Sequence, residues 1–169
     1  MLPREDARDC ILISNYLANN NQKISDAKTI GTVSVRRQAF LIQNYPHLQF
    51  EPLRGNVETR IKKVRKGQVD VTLLALAGLK RLRLADEADE ILEPDEMLPA
   101  AGQGAVGIQI REGDAAMSGF LDLITCDRTV FCVMAERGIL ETLDGSCHTP
   151  VGAYAEWTDD DVMLSLIHI

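Results

Sequence analysis

The segment IGTVSVRRQAFLIQNYP, residues 30–46, contains the end of a strand, a turn and a helix. Ser34 is a favourable N-cap residue, so the helix is predicted over residues 35–44. The helix must end before Pro46, because proline disfavours helical backbone in the residue that precedes it. A strand that leads directly into a capped helix is the repeating unit of an α/β fold.

The same alternation continues towards the carboxyl end. Residues 47–53, HLQFEPL, predict a short strand, and Asn56 caps a helix that ends at Gly67. Residues 69–76, VDVTLLAL, have the continuous apolar character of a buried strand. Residues 77–84, AGLKRLRL, predict a short helix. Strands that alternate with helices predict an α/β domain with a mainly parallel sheet.

Several arginines follow the predicted strands. Arg36, Arg37 and Arg54 lie at strand-to-helix junctions, and Arg60 lies one turn into the next helix. In parallel sheets ligands bind beyond the carboxyl ends of the strands, so these side chains are predicted to converge on one edge. Guanidinium forks bind carboxylates in a bidentate way and phosphates less specifically. The remaining helix-face cations of this region are predicted to be solvated: Lys62, Lys63, Arg65 and Lys66.

The charge distribution supports a small anionic ligand. Residues 36–66 hold eight basic and two acidic residues, a net charge of +6, whereas the whole chain carries −7 and the remainder therefore −13. A local basic patch in an acidic protein is typical of an anion bound in one place. The overall negative charge argues against general nucleic-acid binding.

Composition indicates a soluble globular protein, since 46% of the 169 residues are hydrophobic and 25% are charged. No apolar run approaches the ~20 residues of a membrane span. The first 25 residues lack the long apolar core of a signal peptide, so a cytosol-like compartment is predicted.

Four cysteines are present, with no C-x-x-C pair and no zinc spacing, so no metal site is predicted. Cys10 and Cys132 have apolar neighbours and are predicted to be core residues, whereas Cys126 is ambiguous. Cys147 lies on DGSCHTPVG, residues 144–152, where glycine and proline predict a loop. It is either an ordinary exposed cysteine or a functional thiol. A protease-like pair with His148 is disfavoured, because adjacent residues rarely face each other productively.

The sequence GQGAVG, residues 102–107, matches the dinucleotide motif G-x-G-x-x-G. That motif needs a strand before it and a helix after it, and here the order is reversed. A hinge or a tight backbone approach is therefore predicted. Residues 105–112 are predicted as a strand, and two amphipathic helices follow with Asp114 and Asp127 as caps.

Six ordered blocks carry a resemblance to a known family: LPREDARD, GTVSVRRQAFL, LRGNVETR, LALAGLKRL, LPAAGQGAVGIQIR and AERGILETLDGSCHTPVGAYAE. Together, over about residues 2–156, they resemble the porphobilinogen deaminase (hydroxymethylbilane synthase) family. The resemblance implies a transferase of tetrapyrrole biosynthesis. Such an enzyme condenses four porphobilinogen units head to tail, releases ammonia and gives hydroxymethylbilane.

The resemblance also implies roles for individual residues. Cys147 would attach a dipyrromethane cofactor covalently through a thioether. The residues that would hold this cofactor are Ser34, Arg36, Arg37, Arg54 and Arg60. The residues that would hold the carboxylates of porphobilinogen and the polypyrrole intermediates are Arg36, Arg37, Arg54, Arg60 and Arg81. Val33 departs from the family, which usually has Ser or Thr there, so one contact is expected to be lost or supplied by backbone.

The family has three domains, and the resemblance implies a division of this chain among them. It places a linker at 1–9, a central domain like those of periplasmic binding proteins at 10–98, and a hinge at 99–104. Residues 105–124 would be one strand and one helix of the first domain, and 127–163 would begin an α+β third domain with the cofactor loop. The last six residues, LSLIHI at 164–169, are similar to a translated sequencing adapter and are excluded from functional argument.

The family's catalytic Asp and a Lys lie in a segment before the LPRED block, so the 169-residue chain is expected to be inactive by itself. Its acids cluster at 86–96, and Asp70 begins a strand at the end opposite the arginines. The resemblance further implies a cytoplasmic or plastid-stromal enzyme, monomeric at full length, with no nucleic-acid or membrane partner. The alternative is a non-catalytic anion-binding module.

Overall fold

The computed structural model describes residues 1–145, 149–157 and 162–168, and these form seven strands and six α-helices. The strands are β1 (Asp9–Ile13), β2 (Thr29–Gly31), β3 (Gln49–Glu51), β4 (Val71–Ala75), β5 (Glu90–Leu92), β6 (Val151–Trp157) and β7 (Val162–His168). The helices are α1 (Asn15–Asn19), α2 (Val35–Asn44), α3 (Val57–Arg65), α4 (Leu76–Arg81), α5 (Ala115–Asp122) and α6 (Asp127–Thr142).

The first five strands form one sheet in the order β3-β2-β4-β1-β5. Strand β2 pairs in parallel with β3 and β4, whereas β1 pairs antiparallel with β4 and β5. Four of the five strands therefore share one direction, which confirms the predicted α/β class with a mainly parallel sheet. Because β1 runs the other way, its first residue, Asp9, lies opposite Ala75 at the carboxyl end of β4.

Capping residues set the helices that flank this sheet. The Ser34 hydroxyl accepts from the Arg37 N–H, and α2 spans the predicted residues 35–44. The Asn56 side chain accepts from the Thr59 N–H at the start of α3. Each such cap is worth about 1 kcal/mol, because it satisfies an N–H group with no partner inside the helix. Gly67, at φ +72°, follows α3 in the left-handed conformation predicted for its end.

The sheet has an apolar core on each face, because successive side chains of a strand point to opposite sides. On β1, Ile11 packs in one core, whereas Cys10 and Leu12 pack in the other. Leu41 of α2 belongs to the first core and Ile61 of α3 to the second. Full burial of one such side chain contributes about 1.5–3 kcal/mol. The burial of Cys10 and Cys132 confirms their prediction as core residues.

A second unit contains α6 and the antiparallel hairpin of β6 and β7. The hairpin register runs from Val151 opposite His168 to Trp157 opposite Val162. Residues 164–168 of the segment predicted to be adapter-derived therefore form part of β7. Helix α6 begins at Asp127 with Cys126 in the cap position, so the prediction that Asp127 is the cap was wrong. Asp114 does cap α5, since its side chain accepts from the Met117 N–H.

The strand predicted at residues 105–112 is not formed. In the described part of the chain this segment has no strand partner and no regular structure, and it leads into α5. Alternation of side chains favours a strand, but its hydrogen bonds must come from a neighbouring strand. Helix α5 leaves apolar side chains in solvent, with Phe120 67% exposed and Leu123, just beyond its last residue, 82% exposed.

The described residues contain neither a membrane-spanning helix nor a metal-binding cluster. No helix there is long and apolar enough to cross a bilayer. No group of three or more His, Cys, Asp or Glu side chains in those residues is placed to hold a metal ion.

Candidate functional site

The predicted arginine edge is formed where the parallel strands β2, β3 and β4 end. Strand β2 leads through residues 32–34 into α2, which carries Arg36 and Arg37 in its first turn. The antiparallel β1 brings the side chain of Asp9 to the same edge. We call the cluster of Asp9, Arg36, Arg37 and Arg60 the arginine site.

Asp9 binds both adjacent arginines. Its Oδ2 accepts from an Nη of Arg36 at 2.7 Å, and its Oδ1 accepts from an Nη of Arg37 at 2.7 Å. Arg36 also donates to the Leu98 carbonyl at 2.5 Å, and Arg37 donates to the Leu73 carbonyl at 3.0 Å. Each guanidinium group is therefore held by the Asp9 carboxylate and by one backbone carbonyl. The Asp9 side chain at this site is fully buried.

The arginine site has a net positive charge. Burial disfavours the charged form of Asp9, but the guanidinium groups of Arg37 and Arg36 outweigh it and hold the pKa of Asp9 below its usual range. Burial, and then the charge of Arg37, lowers the pKa of Arg60. The site holds three guanidinium groups and one carboxylate, so it carries more positive than negative charge.

One donor in the site lacks an acceptor. The Nε of Arg37 is buried and has no hydrogen-bond partner among the described residues. A buried donor without a partner costs about 1–3 kcal/mol, because it has lost its hydrogen bonds to water. An anionic oxygen supplied by a ligand would remove that cost and balance the excess charge. The chemistry of the site therefore suits a carboxylate better than a neutral ligand.

Arg54, Arg60 and Arg81 differ in how they are held. The Nε of Arg60 donates to the Gly55 carbonyl at 2.8 Å, and an Nη of Arg81 donates to the Gly104 carbonyl at 2.7 Å. The exposed side chain of Arg54 has no hydrogen bond or ion pair within the described residues. The Ser34 hydroxyl, predicted to bind cofactor, caps α2 next to Arg36 and Arg37.

The loop with Cys147 lies outside the described residues, which end at 145 and resume at 149. Its ends are placed by neighbouring elements, since α6 stops at Thr142 and β6 starts at Val151. Cys126, left ambiguous by the sequence, is half-buried at the start of α6, and hydrogen bonds from Thr129 lower the pKa of its thiol.

Two of the cations predicted to be solvated have partners. Arg65 pairs with Glu87 and Asp89 and donates to the Ile13 carbonyl. It therefore connects α3 to the end of β1 and to the segment that precedes β5. The Nζ of Lys63 donates to the Arg54 carbonyl at 3.0 Å. The prediction was wrong for Arg65, because its acceptors lie 22 to 52 residues away, which helix periodicity does not show. The hydrogen bond of Lys63 is exposed and reaches the segment just before α3, so it does not contradict a solvated side chain.

The sequence did not single out Asp9 or Gln103. The Gln103 amide donates to Asp9 Oδ1 at 3.1 Å and to the Ala7 carbonyl at 2.5 Å. Gln103 lies between Gly102 and Gly104 in the predicted tight turn, and a Cβ on Gly104 would collide with the Glu5 carbonyl oxygen. The predicted close backbone approach is confirmed. The sequence did contain one indication of Asp9, because a charged residue directly before the apolar run CILI is placed at the end of a buried strand.

A cavity of about 1080 Å³ lies elsewhere, between the amino-terminal segment and the unit of α6 and the hairpin. Its walls include Arg4, Arg8, Lys80, Tyr154 and Trp157, and they contain none of the arginines predicted to bind carboxylates. Lys80 and Arg8 pair with acids of the same wall, so this cavity shows no comparable excess of positive charge.

Comparison with known proteins identifies related sequences. Residues 1–119 match the family model described as porphobilinogen deaminase, dipyromethane cofactor binding domain, and residues 130–169 match the model of the porphobilinogen deaminase C-terminal domain. The chain is 47% identical over 161 residues to a porphobilinogen deaminase of Nitrobacter winogradskyi, with 95% of this chain and 50% of that protein covered. It is 45% identical over 164 residues to that of Thiobacillus denitrificans, covering 95% of this chain and 52% of that protein.

A plant relative has similar identity. The chloroplastic porphobilinogen deaminase of Oryza sativa is 43% identical over 159 residues, with 94% of this chain and 44% of that protein covered. The chain thus spans about half the length of the curated relatives it matches. The solved structure of YhfZ from Shigella flexneri covers 83% of this chain and 59% of its own at 12% identity and a TM-score of 0.37, which is too low to carry an argument.

Proposed function

This chain belongs to the porphobilinogen deaminase family, and we propose that the protein containing it condenses four porphobilinogen units head to tail. Each addition releases ammonia, and the product is hydroxymethylbilane, an intermediate of tetrapyrrole biosynthesis. The part of the reaction assigned to this chain is the binding of acidic pyrroles through the arginine site and the attachment of a cofactor through Cys147.

The observation that supports this proposal most is the excess of guanidinium over carboxylate groups at the arginine site. Each pyrrole unit carries an acetate and a propionate group, so a growing chain accumulates negative charge. Arg36 and Arg37 are already oriented by Asp9, and Arg60 lies within electrostatic reach of Arg37. Fixed guanidinium groups bind carboxylates without the entropy cost of first being ordered.

A dipyrromethane cofactor fits this donor set, because its acidic side chains would supply acceptors to the unpartnered Arg37 Nε and to the exposed Arg54. When bound, it primes the reaction by providing the terminal pyrrole to which the first substrate unit is joined. Arg36, Arg37, Arg54 and Arg60 would hold its carboxylates, and Ser34 would contribute through its cap position. Arg81 would bind substrate carboxylates from the other side of the Gly104 turn.

We also propose that residues 105–124 pack against a domain formed by the rest of the longer protein. The apolar side chains in and just after α5 have no cover in the described chain, notably Phe120, Leu123 and Ile124. Exposed apolar groups of this size in one short segment mark a packing surface. If residues 105–124 belong to another domain, the chain passes between domains at the turn of residues 99–104. This turn would then act as a hinge.

The remaining parts of the proposal concern setting and partners. The negative net charge of −7 supports a protein that does not bind nucleic acid in general. A cytoplasmic or plastid-stromal location is compatible with bacterial and chloroplastic relatives. The full-length protein would act as a monomer on porphobilinogen and its polypyrrole intermediates.

Binding of porphobilinogen to the 169-residue chain tests the arginine site. Arg60→Ala and Arg37→Ala should each weaken binding about tenfold or more, because a charge-assisted hydrogen bond is worth roughly 1.5–3 kcal/mol. Lys62→Ala is the matched control, since Lys62 is an exposed cation on the same helix as Arg60. Titration calorimetry at two salt concentrations measures the effect. Equal affinities for Arg60→Ala and Lys62→Ala would place the ligand elsewhere.

Intact mass measurement tests the role of Cys147. A longer family protein carrying this segment, purified from cells that make porphobilinogen, should show a mass increase equal to a dipyrromethane adduct. Cys147→Ser should abolish the adduct completely, because the hydroxyl is a much weaker nucleophile than a thiolate. Cys126→Ser is the control and should keep the adduct. An unmodified parent protein, or an adduct that survives Cys147→Ser, would contradict the assignment.

A further inference from the structure

The two oxygens of Asp9 accept three hydrogen bonds, all from groups of the arginine site and its surroundings. Oδ2 accepts from Arg36, whereas Oδ1 accepts from Arg37 at 2.7 Å and from the Gln103 amide at 3.1 Å. The side chain is completely buried, and the backbone of Asp9 is held in β1 opposite Ala75. Asp9 is therefore a fixed carboxylate that holds two neighbouring guanidinium groups at once.

We propose that Asp9 is a positioning residue, which sets the direction of the Arg36 and Arg37 guanidinium groups so that their remaining N–H groups receive ligand carboxylates. The inference rests on the proposed function of these arginines as carboxylate binders. Asp9 does not touch the ligand in this proposal, because it has no exposed surface.

The geometry explains why a carboxylate is needed at this position. One terminal nitrogen of Arg37 is bound to the Leu73 carbonyl and the other to Asp9 Oδ1, which leaves the Nε as the unpartnered donor. Arg36 is held in the same manner between Leu98 and Asp9 Oδ2. Each guanidinium group thus has two anchors, and a planar group with two anchors cannot rotate. Without Asp9, Arg37 would keep only the Leu73 carbonyl, and Arg36 would keep the Leu98 carbonyl and a long contact of 3.4 Å to Gln103 Oε1.

Electrostatics alone predicts the opposite outcome for a substitution. Asp9 is negative, and its removal makes the site more positive, which favours any anion by Coulomb attraction. If Asp9 positions the arginines, its removal instead weakens a ligand that needs aligned donors. For a dicarboxylate, the Coulomb effect and the loss of alignment therefore change the affinity in opposite directions. A simple monovalent anion needs no aligned donors, so only the Coulomb effect acts on it.

The experiment compares porphobilinogen with chloride on the 169-residue chain. Asp9→Asn keeps the shape and removes the charge, whereas Asp9→Glu keeps the charge and moves it by one methylene. Both should weaken porphobilinogen binding about tenfold, the loss of one charge-assisted hydrogen bond. Neither should weaken chloride binding, measured by chloride-35 NMR line broadening. Asp70→Asn, at the opposite end of β4, is the matched control and should leave both affinities unchanged.

The outcomes separate this inference from the proposed function. If the unsubstituted chain binds no porphobilinogen, the proposed function fails and the inference fails with it. If it binds porphobilinogen and either Asp9 variant binds as well or more tightly, only the inference is overturned. If neither variant folds, nitrogen-15 NMR of the unsubstituted chain decides. Separate Nη resonances for Arg36 and Arg37 support fixed guanidinium groups, and resonances averaged by rotation overturn the inference.

Discussion

Replacing Glu136 with alanine is expected to lower the free energy of unfolding of the 169-residue chain by about 3–5 kcal/mol. The Glu136 carboxylate is fully buried and accepts from both terminal nitrogens of Arg4, at 2.5 and 3.2 Å. It also accepts from the backbone N–H groups of Gly102 and Ala155, at 2.6 and 2.8 Å. Alanine leaves two N–H groups without an acceptor, and it leaves a largely buried guanidinium with backbone carbonyls but no carboxylate to balance its charge.

Thermal unfolding measures this effect. For a chain of this size, 1 kcal/mol shifts the midpoint by about 2–4 °C, so Glu136→Ala should lower it by about 10 °C. Glu141→Ala on the same helix is the control, because Glu141 is exposed and should change stability by less than about 0.5 kcal/mol. Similar midpoints for the two variants would mean that Glu136 does not hold the amino-terminal segment, the turn and β6 together.

A double variant separates the interaction energy of the Arg4–Glu136 ion pair from the cost of leaving one buried charge without its partner. Arg4→Met combined with Glu136→Met removes both charges, and the combined loss should be smaller than the sum of the two single losses. The reason is that each single variant leaves one charge buried without a partner, whereas the double variant leaves none. A strictly additive result would indicate that Arg4 and Glu136 do not interact in solution.

Local features of the fold were predictable because their causes lie within a few residues. Ser34 and Asn56 cap their helices through contacts three residues ahead, and Gly67 follows α3 with a positive φ. Such signals are complete in the sequence itself. The buried strand at 71–75 was equally clear from its apolar run.

The direction of β1 was not predictable, and with it the place of Asp9. A strand carries the same side-chain alternation whichever way it runs, so only the pairing with β4 puts Asp9 beside Arg36 and Arg37. The partners of Arg65 were missed for the same reason, since Glu87 and Asp89 lie 22 and 24 residues away. The sequence predicted that Arg36 and Arg37 lie at one edge, and both bind Asp9 there, a carboxylate that the sequence did not indicate.

No acidic residue was predicted at the arginine edge, whereas the structure places Asp9 there. An acid at this edge raises the question of whether it could take the part of the catalytic Asp expected elsewhere in the family. Both of its oxygens are bound to guanidinium groups, and those groups hold its pKa below the usual range. A carboxylate held in this way and fully buried presents no exposed oxygen to a pyrrole nitrogen.

The 169-residue chain by itself is therefore expected to release no ammonia from porphobilinogen. Ammonia loss and carbon–carbon bond formation develop positive charge on the pyrrole, and a preorganised carboxylate must face that charge to lower the barrier. The arginine site instead binds the substrate carboxylates, which carry the same charge in the ground state and in the transition state. Interactions of equal strength in both states do not accelerate the chemical step.

Three acids of the cluster at residues 86–96 are paired with basic side chains. Glu87 and Asp89 pair with Arg65, and Glu93 pairs with Arg8. Ammonia release should be followed with the porphobilinogen deaminase of Nitrobacter winogradskyi as the positive control, since it is 47% identical and about twice as long. Porphobilinogen bound without turnover would match a site that holds carboxylates but lacks the group that stabilises the transition state. Turnover near that of the control would mean that a carboxylate of this chain performs the chemistry, and it would contradict this prediction.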